Sequence, residues 1–171
     1  MKHLFVVTTL AILVGLAISI TSASVLQDRP TVVTGSDLTR LVPASYYFKG
    51  QSAPTQMRNT SAAKFGPERF VIVGLVDTSG YSAEVRAKYE GFFITDSPIK
   101  INGESLPTGA YGFGFSNDGK MNIMDIAGND VLSVSSTNDR ALRRPRPLMM
   151  TTSEQGIRFY SRRDYVVITA N

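Results

Sequence analysis

The stretch Ala110-Tyr111-Gly112-Phe113-Gly114-Phe115-Ser116-Asn117-Asp118-Gly119-Lys120-Met121-Asn122-Ile123-Met124 decides the fold class. Its three aromatic rings fall at every second position. An extended chain therefore puts Tyr111, Phe113 and Phe115 on one face and leaves Gly112 and Gly114 between them. Asn117-Asp118-Gly119 is a hairpin turn that leads into a second strand over Lys120 to Ala127.

The same grammar continues on both sides. Downstream, Gly128-Asn129-Asp130 turns the chain into Val131 to Ser135. Ile157 to Ser161 and Tyr165 to Thr169 form a hairpin joined by Arg162-Arg163-Asp164. Upstream, Ile99 to Ile101 precedes an Asn102-Gly103 turn, and Phe92 to Thr95 is another strand. Arg69-Phe70-Val71-Ile72-Val73-Gly74-Leu75-Val76 is a continuous, β-branched apolar run. It predicts a strand buried on both faces, with Gly74 a bulge or close approach. Short strands separated by Gly/Asn/Asp turns predict a mainly β chain, an antiparallel β-sandwich or barrel. At most one short helix is expected, around 82–90, capped by Ser82 and ended by Gly91. A strand is its rival, because Ala83, Val85, Ala87 and Tyr89 alternate with charges.

Lys100-Ile101-Asn102-Gly103-Glu104-Ser105-Leu106-Pro107-Thr108-Gly109-Ala110-Tyr111 resembles a Gly-x-x-Leu-Pro-Ala-Gly-x-Tyr signature of small exported bacterial β-proteins of unknown function. The resemblance covers roughly residues 70–135, with Thr108 where the signature has Ala. It implies export and a β-fold, and no reaction. Physically, Pro107 and Gly109 make a tight turn that delivers Tyr111 into the next strand's apolar face.

Residues 24–67 are rich in Ser, Thr, Ala, Pro, Gln and Gly, around one aromatic knot at Tyr46-Tyr47-Phe48. They predict an extended arm with one or two short strands, in which 50–66 is an ordered loop, ahead of a single β-domain over 68–171. Met1-Lys2-His3, an apolar Leu4–Ile20 and the small residues Thr21 to Ser24 make residues 1–23 a signal peptide cleaved after Ala23. A membrane anchor is the rival reading of that apolar run. Cleavage leaves no transmembrane anchor and places the protein in the periplasm or outside the cell.

Composition then narrows the chemistry. The 171 residues suffice for one core, and 43% hydrophobic with 19% charged residues excludes a disordered chain. With no Cys the protein is disulfide-free and has no thiolate nucleophile. The single His is His3, so a mature chain has no imidazole for a Ser–His–Asp triad or a metal. No metal or cofactor is expected.

Charge is uneven. Residues 24–139 hold 10 basic and 12 acidic residues, whereas 140–171 hold seven Arg against Glu154 and Asp164. Arg140, Arg143, Arg144 and Arg146 lie in one Pro-interrupted run that cannot be helical. They form a candidate patch for an anionic partner. The bland alternative is a set of Arg side chains alternating onto solvent faces. No aromatics interleave the run, which argues against single-stranded nucleic acid.

Three constellations bear on chemistry. Leu75-Val76-Asp77-Thr78-Ser79-Gly80 is close to the Asp-Thr-Gly of aspartic proteases, but Ser79 intrudes and no second copy exists. Ser61-Ala62-Ala63-Lys64 matches the Ser-x-x-Lys of penicillin-recognising enzymes, without their Lys-Thr-Gly partner. Gln51, Gln56, Arg58, Asn59, Asp77 and Tyr81, with Tyr46 and Tyr47 nearby in sequence, are the residue types of a polar-ligand or carbohydrate site, and Gln56, Arg58, Asn59, Asp77 and Tyr81 are its candidate ligand-binding residues. They are equally what a segment uses to satisfy its own backbone. Asp118, Asn122 and Asp125 offer oxygens, but not at an EF-hand spacing.

The reading that follows is an exported, non-enzymatic β-domain binding a small polar ligand, a glycan or an anionic envelope component. The alternatives are a small envelope hydrolase using carboxylate or Ser/Lys chemistry, and a structural or adhesive module.

Overall fold

The computed structural model describes residues 29–171. The expected signal peptide over 1–23 lies outside the described residues. The fold is a sandwich of two antiparallel sheets. One has eight strands: β1 (Thr31–Val33), β2 (Ser45–Phe48), β3 (Gln51–Lys64), β4 (Phe70–Val76), β5 (Gly91–Thr95), β8 (Gly109–Ser116), β9 (Lys120–Met124) and β10 (Asp130–Ser135). They run in the order β1-β3-β4-β5-β8-β9-β10, with β2 paired to β3. The second sheet has six strands: β6 (Ile99–Ile101), β7 (Glu104–Leu106), β11 (Thr137–Asn138), β12 (Arg146–Ser153), β13 (Gly156–Arg162) and β14 (Asp164–Ala170). Their order is β12-β13-β14-β6-β7, with β11 on β14.

The main core lies between the sheets. Val71, Val73, Phe93, Phe113, Met121 and Ile123 of the larger sheet meet Ile99, Ile101, Leu148, Ile157, Phe159 and Ile168 of the smaller one. The opposite face of the larger sheet carries a second core of Tyr46, Phe48, Val76, Tyr81, Val85, Tyr89 and Phe92. That second layer explains why β4 is apolar on both faces: Val71 and Val73 enter the first core while Val76 enters the second. It also explains the glycines of β8. Phe113 points between the sheets, and a Cβ on Gly112 would stand 2.5 Å from the Phe48 ring. Gly74 is likewise a close approach, since its Cβ would meet the Phe92 ring at 2.5 Å.

Several expectations need correction. Residues 50–66 are no loop: Gln51–Lys64 is a 14-residue strand paired with β2, β4 and β1. Its inward positions are Ala53, Ala62 and Ala63, all buried, because neighbouring strands supply the bulk. The limit at 67/68 therefore separates nothing, as β3 pairs with β4 across it. The supposed extended arm also contains a helix, α1 (Gly35–Leu41), whose Leu38 packs on the second core. The expected helix at 82–90 is one turn, α2 (Ala83–Arg86), capped by Ser82 Oγ accepting from the Val85 amide. Gly91 does not end it. It opens β5, where a Cβ would collide with the backbone carbonyl of Gly74.

The segment from Gly103 to Tyr111 carries the chain from the smaller sheet to the larger. Asn102 and Gly103 take φ of 49° and 91°, the left-handed pair of a tight hairpin turn between β6 and β7. Leu106 is buried in the core, and the Tyr111 hydroxyl folds back to donate to the Pro107 carbonyl at 3.0 Å. Asn102 side-chain amide groups bond Ser135 O and Val167 N, tying the turn to both sheets.

Candidate functional site

The polar set around Gln56 is organised by a bulge. β3 spends five residue steps between Thr55 and Thr60 where β4 spends two between Val76 and Gly74. The extra length bows outward, and Gln56 Nε2 reaches back to donate to Val76 O at 3.0 Å. Asn59 Nδ2 then donates to Gln56 Oε1 at 2.8 Å. Asp77 accepts from the Ser79 amide at 3.0 Å, and that hydrogen bond holds its carboxyl below the ordinary value. Gln56, Asn59 and Asp77 therefore gather around the Val76–Asp77 chain end, each bonded to local groups. Tyr81 belongs elsewhere. It is buried in the second core, its hydroxyl 3.1 Å from Phe48 O and 3.2 Å from Gln51 O. Arg58 stands exposed on the bulge. Tyr81 thus stands apart from the Gln56 group, its hydroxyl spent on two backbone carbonyls of the β2–β3 hairpin.

Neither catalytic motif assembles. Ser61 and Lys64 sit on a strand, where residues three apart point to opposite faces. Ser61 is buried while Lys64 is exposed, its ammonium 5.8 Å above the Phe70 ring. Asp118 accepts from Ser116 Oγ, and Asp125 accepts from the Ala127 and Asn129 amides at 2.9 Å, so both close turns.

The arginine run assembles into something more definite. Asp139 Oδ1 accepts from the Ala141 and Leu142 amides at 3.0 and 3.1 Å, and Oδ2 accepts from the Tyr160 hydroxyl at 3.0 Å. Arg163 Nη1 donates to Leu142 O at 2.6 Å and lies 3.3 Å from the carbonyls of Asp139 and Arg140. An acid and a guanidinium thus fold residues 139–142 against β13. Neither belongs to a sequence motif, although an Asp opening a turn is a legible signal. Beyond the clamp, Arg140, Arg143, Arg144 and Arg146 are all exposed. Among the described residues, none pairs with a carboxylate within 4.0 Å. Arg146 separates two open concavities of about 610 and 640 Å³, one also lined by Arg162 and Arg163, the other by Arg143 and Arg144.

The remaining arginines of the tail are engaged. Arg158 lies over the Tyr165 ring at 4.8 Å. Arg162 turns through a left-handed φ of 58° and reaches Glu90 at 3.5 Å. Burial pushes the Glu90 carboxyl above its ordinary value, against the opposing pull of the Phe115 amide, Arg162 and Ser161. A raised carboxyl favours the protonated form in the folded state. Its contribution to stability is present below the unfolded value and is lost as pH rises through the folded one. Glu90→Gln keeps an acceptor for Phe115 N and removes the charge. The variant should melt above the wild type at pH 7, with the difference closing as pH falls to about 4. Melting curves across that range check this.

Compared with protein-family models, curated proteins and solved structures, the chain has no significant match to any of them. Among the described residues, no helix is long and apolar enough to cross a membrane.

Proposed function

We propose that the chain is an exported, non-enzymatic β-sandwich that binds an anionic component of the cell envelope through Arg140, Arg143, Arg144 and Arg146. One observation carries the reading. Asp139 and Arg163 hold residues 139–142, and the chain runs from that held turn through Arg143 and Arg144 to Arg146 at the start of β12, so the arginines are displayed between two ordered anchors. Arg suits this task because its planar fork meets phosphate and carboxylate bidentately. The hydrolase alternative gains nothing from Ser61 and Lys64 on opposite faces or from Asp77 tied into a turn.

Each basic side chain near an anionic surface contributes about 1 kcal/mol, so R143A/R144A/R146A should weaken binding by about a hundredfold. Sedimentation with anionic phospholipid vesicles and titration with an acidic polysaccharide separate the two sources of charge. Saturable binding to either, lost in the triple variant and in high salt, supports the proposal. Unchanged binding by the variant, or no saturation with either probe, overturns it and leaves a structural or adhesive role.

A further inference from the structure

A different part of the molecule holds a second, unrelated feature. A cavity of about 950 Å³ opens at one end of the sandwich, between the start of β1, the β3–β4 turn, the β12–β13 turn and the end of β14. Its lining includes Arg29, Arg69, Glu154 and Gln155, with Phe65 among its apolar members. Phe65 is buried, and its amide donates to Arg69 O at 2.8 Å, closing the β3–β4 turn. Gly66 takes a left-handed φ of 121° within that turn. A Cβ there would stand 2.7 Å from Arg69 Nη2, so the missing side chain is what lets the guanidinium lie against the turn.

Two cations and one anion line the same space without satisfying one another. Among the described residues, neither Arg29 nor Arg69 comes within 4.0 Å of a carboxylate oxygen, and Glu154 has no cationic partner at that distance. Two cations and an anion scattered on convex ground would carry no message. Here they surround a concave volume in the range of small-molecule sites. The complementary charge pattern is two carboxylates and one ammonium group.

We infer that this cavity binds a small amino-dicarboxylate, with Arg29 and Arg69 taking the carboxylates and Glu154 the ammonium. Gln155 offers an amide to whichever polar group remains. The site rests on residues outside the arginine loop, so it stands or falls independently of the envelope-binding proposal.

The test is calorimetric titration of the full chain with L- and D-glutamate, with glutarate as the ligand lacking the amine. Glutamate should bind saturably with a Kd of about 1 mM or tighter, the range expected for so few atoms with charge-assisted contacts. Arg69→Met keeps the aliphatic stem and should weaken glutamate and glutarate alike by about tenfold. Glu154→Gln should weaken glutamate by a similar factor and leave glutarate unchanged or tighter. R143A/R144A/R146A should bind glutamate as the wild type does. Melting curves identical to wild type show that each variant folds. Absence of saturation with either glutamate enantiomer overturns the inference. So does glutamate binding that is indifferent to both Arg69→Met and Glu154→Gln.

Discussion

Phe159→Ala should lower the stability of the domain by about 3–5 kcal/mol, a fall in melting temperature of roughly 6–20 °C for a chain of this size. Phe159 is fully buried on β13 and faces three rings of the opposite sheet. Their centroids lie at 6.0 Å for Phe93, 5.2 Å for Phe113 and 5.6 Å for Phe115. The geometries are tilted or edge-on, which aromatic quadrupoles favour. Deleting the ring removes its own transfer free energy and also its ring contacts with all three. A cavity then remains, because the surrounding strands are held by their ladders and cannot collapse into it. Phe159→Leu fills most of the volume and should cost distinctly less. Chemical denaturation of the two variants checks both the size and the order. Equal losses would mean that ring geometry, and not volume, dominates at this position.

The rings that Phe159 meets lie in the part of the chain most legible before folding. Phe113 and Phe115 alternate with glycine, and Val71 and Val73 sit in an unbroken apolar run. Period and composition there agree with what the core requires. β3 was opaque for the opposite reason. Ala53, Ala62 and Ala63 are core residues that carry almost no hydrophobic signal. Their neighbours in the strand are polar because they serve a bulge and an edge. β12 carries little strand signal for a related reason. It is an edge strand opening on Arg146 and Pro147, where Pro costs no ladder hydrogen bond, and only Leu148 and Met150 point inward. The candidate polar set misled through Tyr81, since a Tyr beside Asp and Gly is indistinguishable in sequence from one bonded to Phe48 O in a second core. The arginine patch was legible as charge alone. What organises it was not, because Asp139 and Arg163 are 24 residues apart and meet only through the β13–β14 hairpin. Arg29, Arg69 and Glu154 are more distant still in the chain, and no local pattern joins them.

Asp139→Ala separates a built arginine surface from a merely charged one, because the two pictures give opposite signs. The substitution removes a negative charge from the base of the loop. If Arg140, Arg143, Arg144 and Arg146 acted only through their summed field, an anionic probe should bind the variant more tightly. If the loop must be held in one shape, binding should weaken, since Ala cannot cap the Ala141 and Leu142 amides. The second outcome is expected, with a loss of about tenfold at moderate salt. Stability falls in step. The Tyr160 hydroxyl, on a residue only 3% exposed, loses its acceptor, and leaving a buried donor unsatisfied costs about 1–3 kcal/mol. Adding Tyr160→Phe to Asp139→Ala removes that orphaned donor. The double variant should recover much of the stability and none of the binding, because the loop amides are still uncapped. Paired melting and vesicle-binding measurements on the three proteins check this. Binding restored along with stability would place the effect in the fold as a whole and not in the loop.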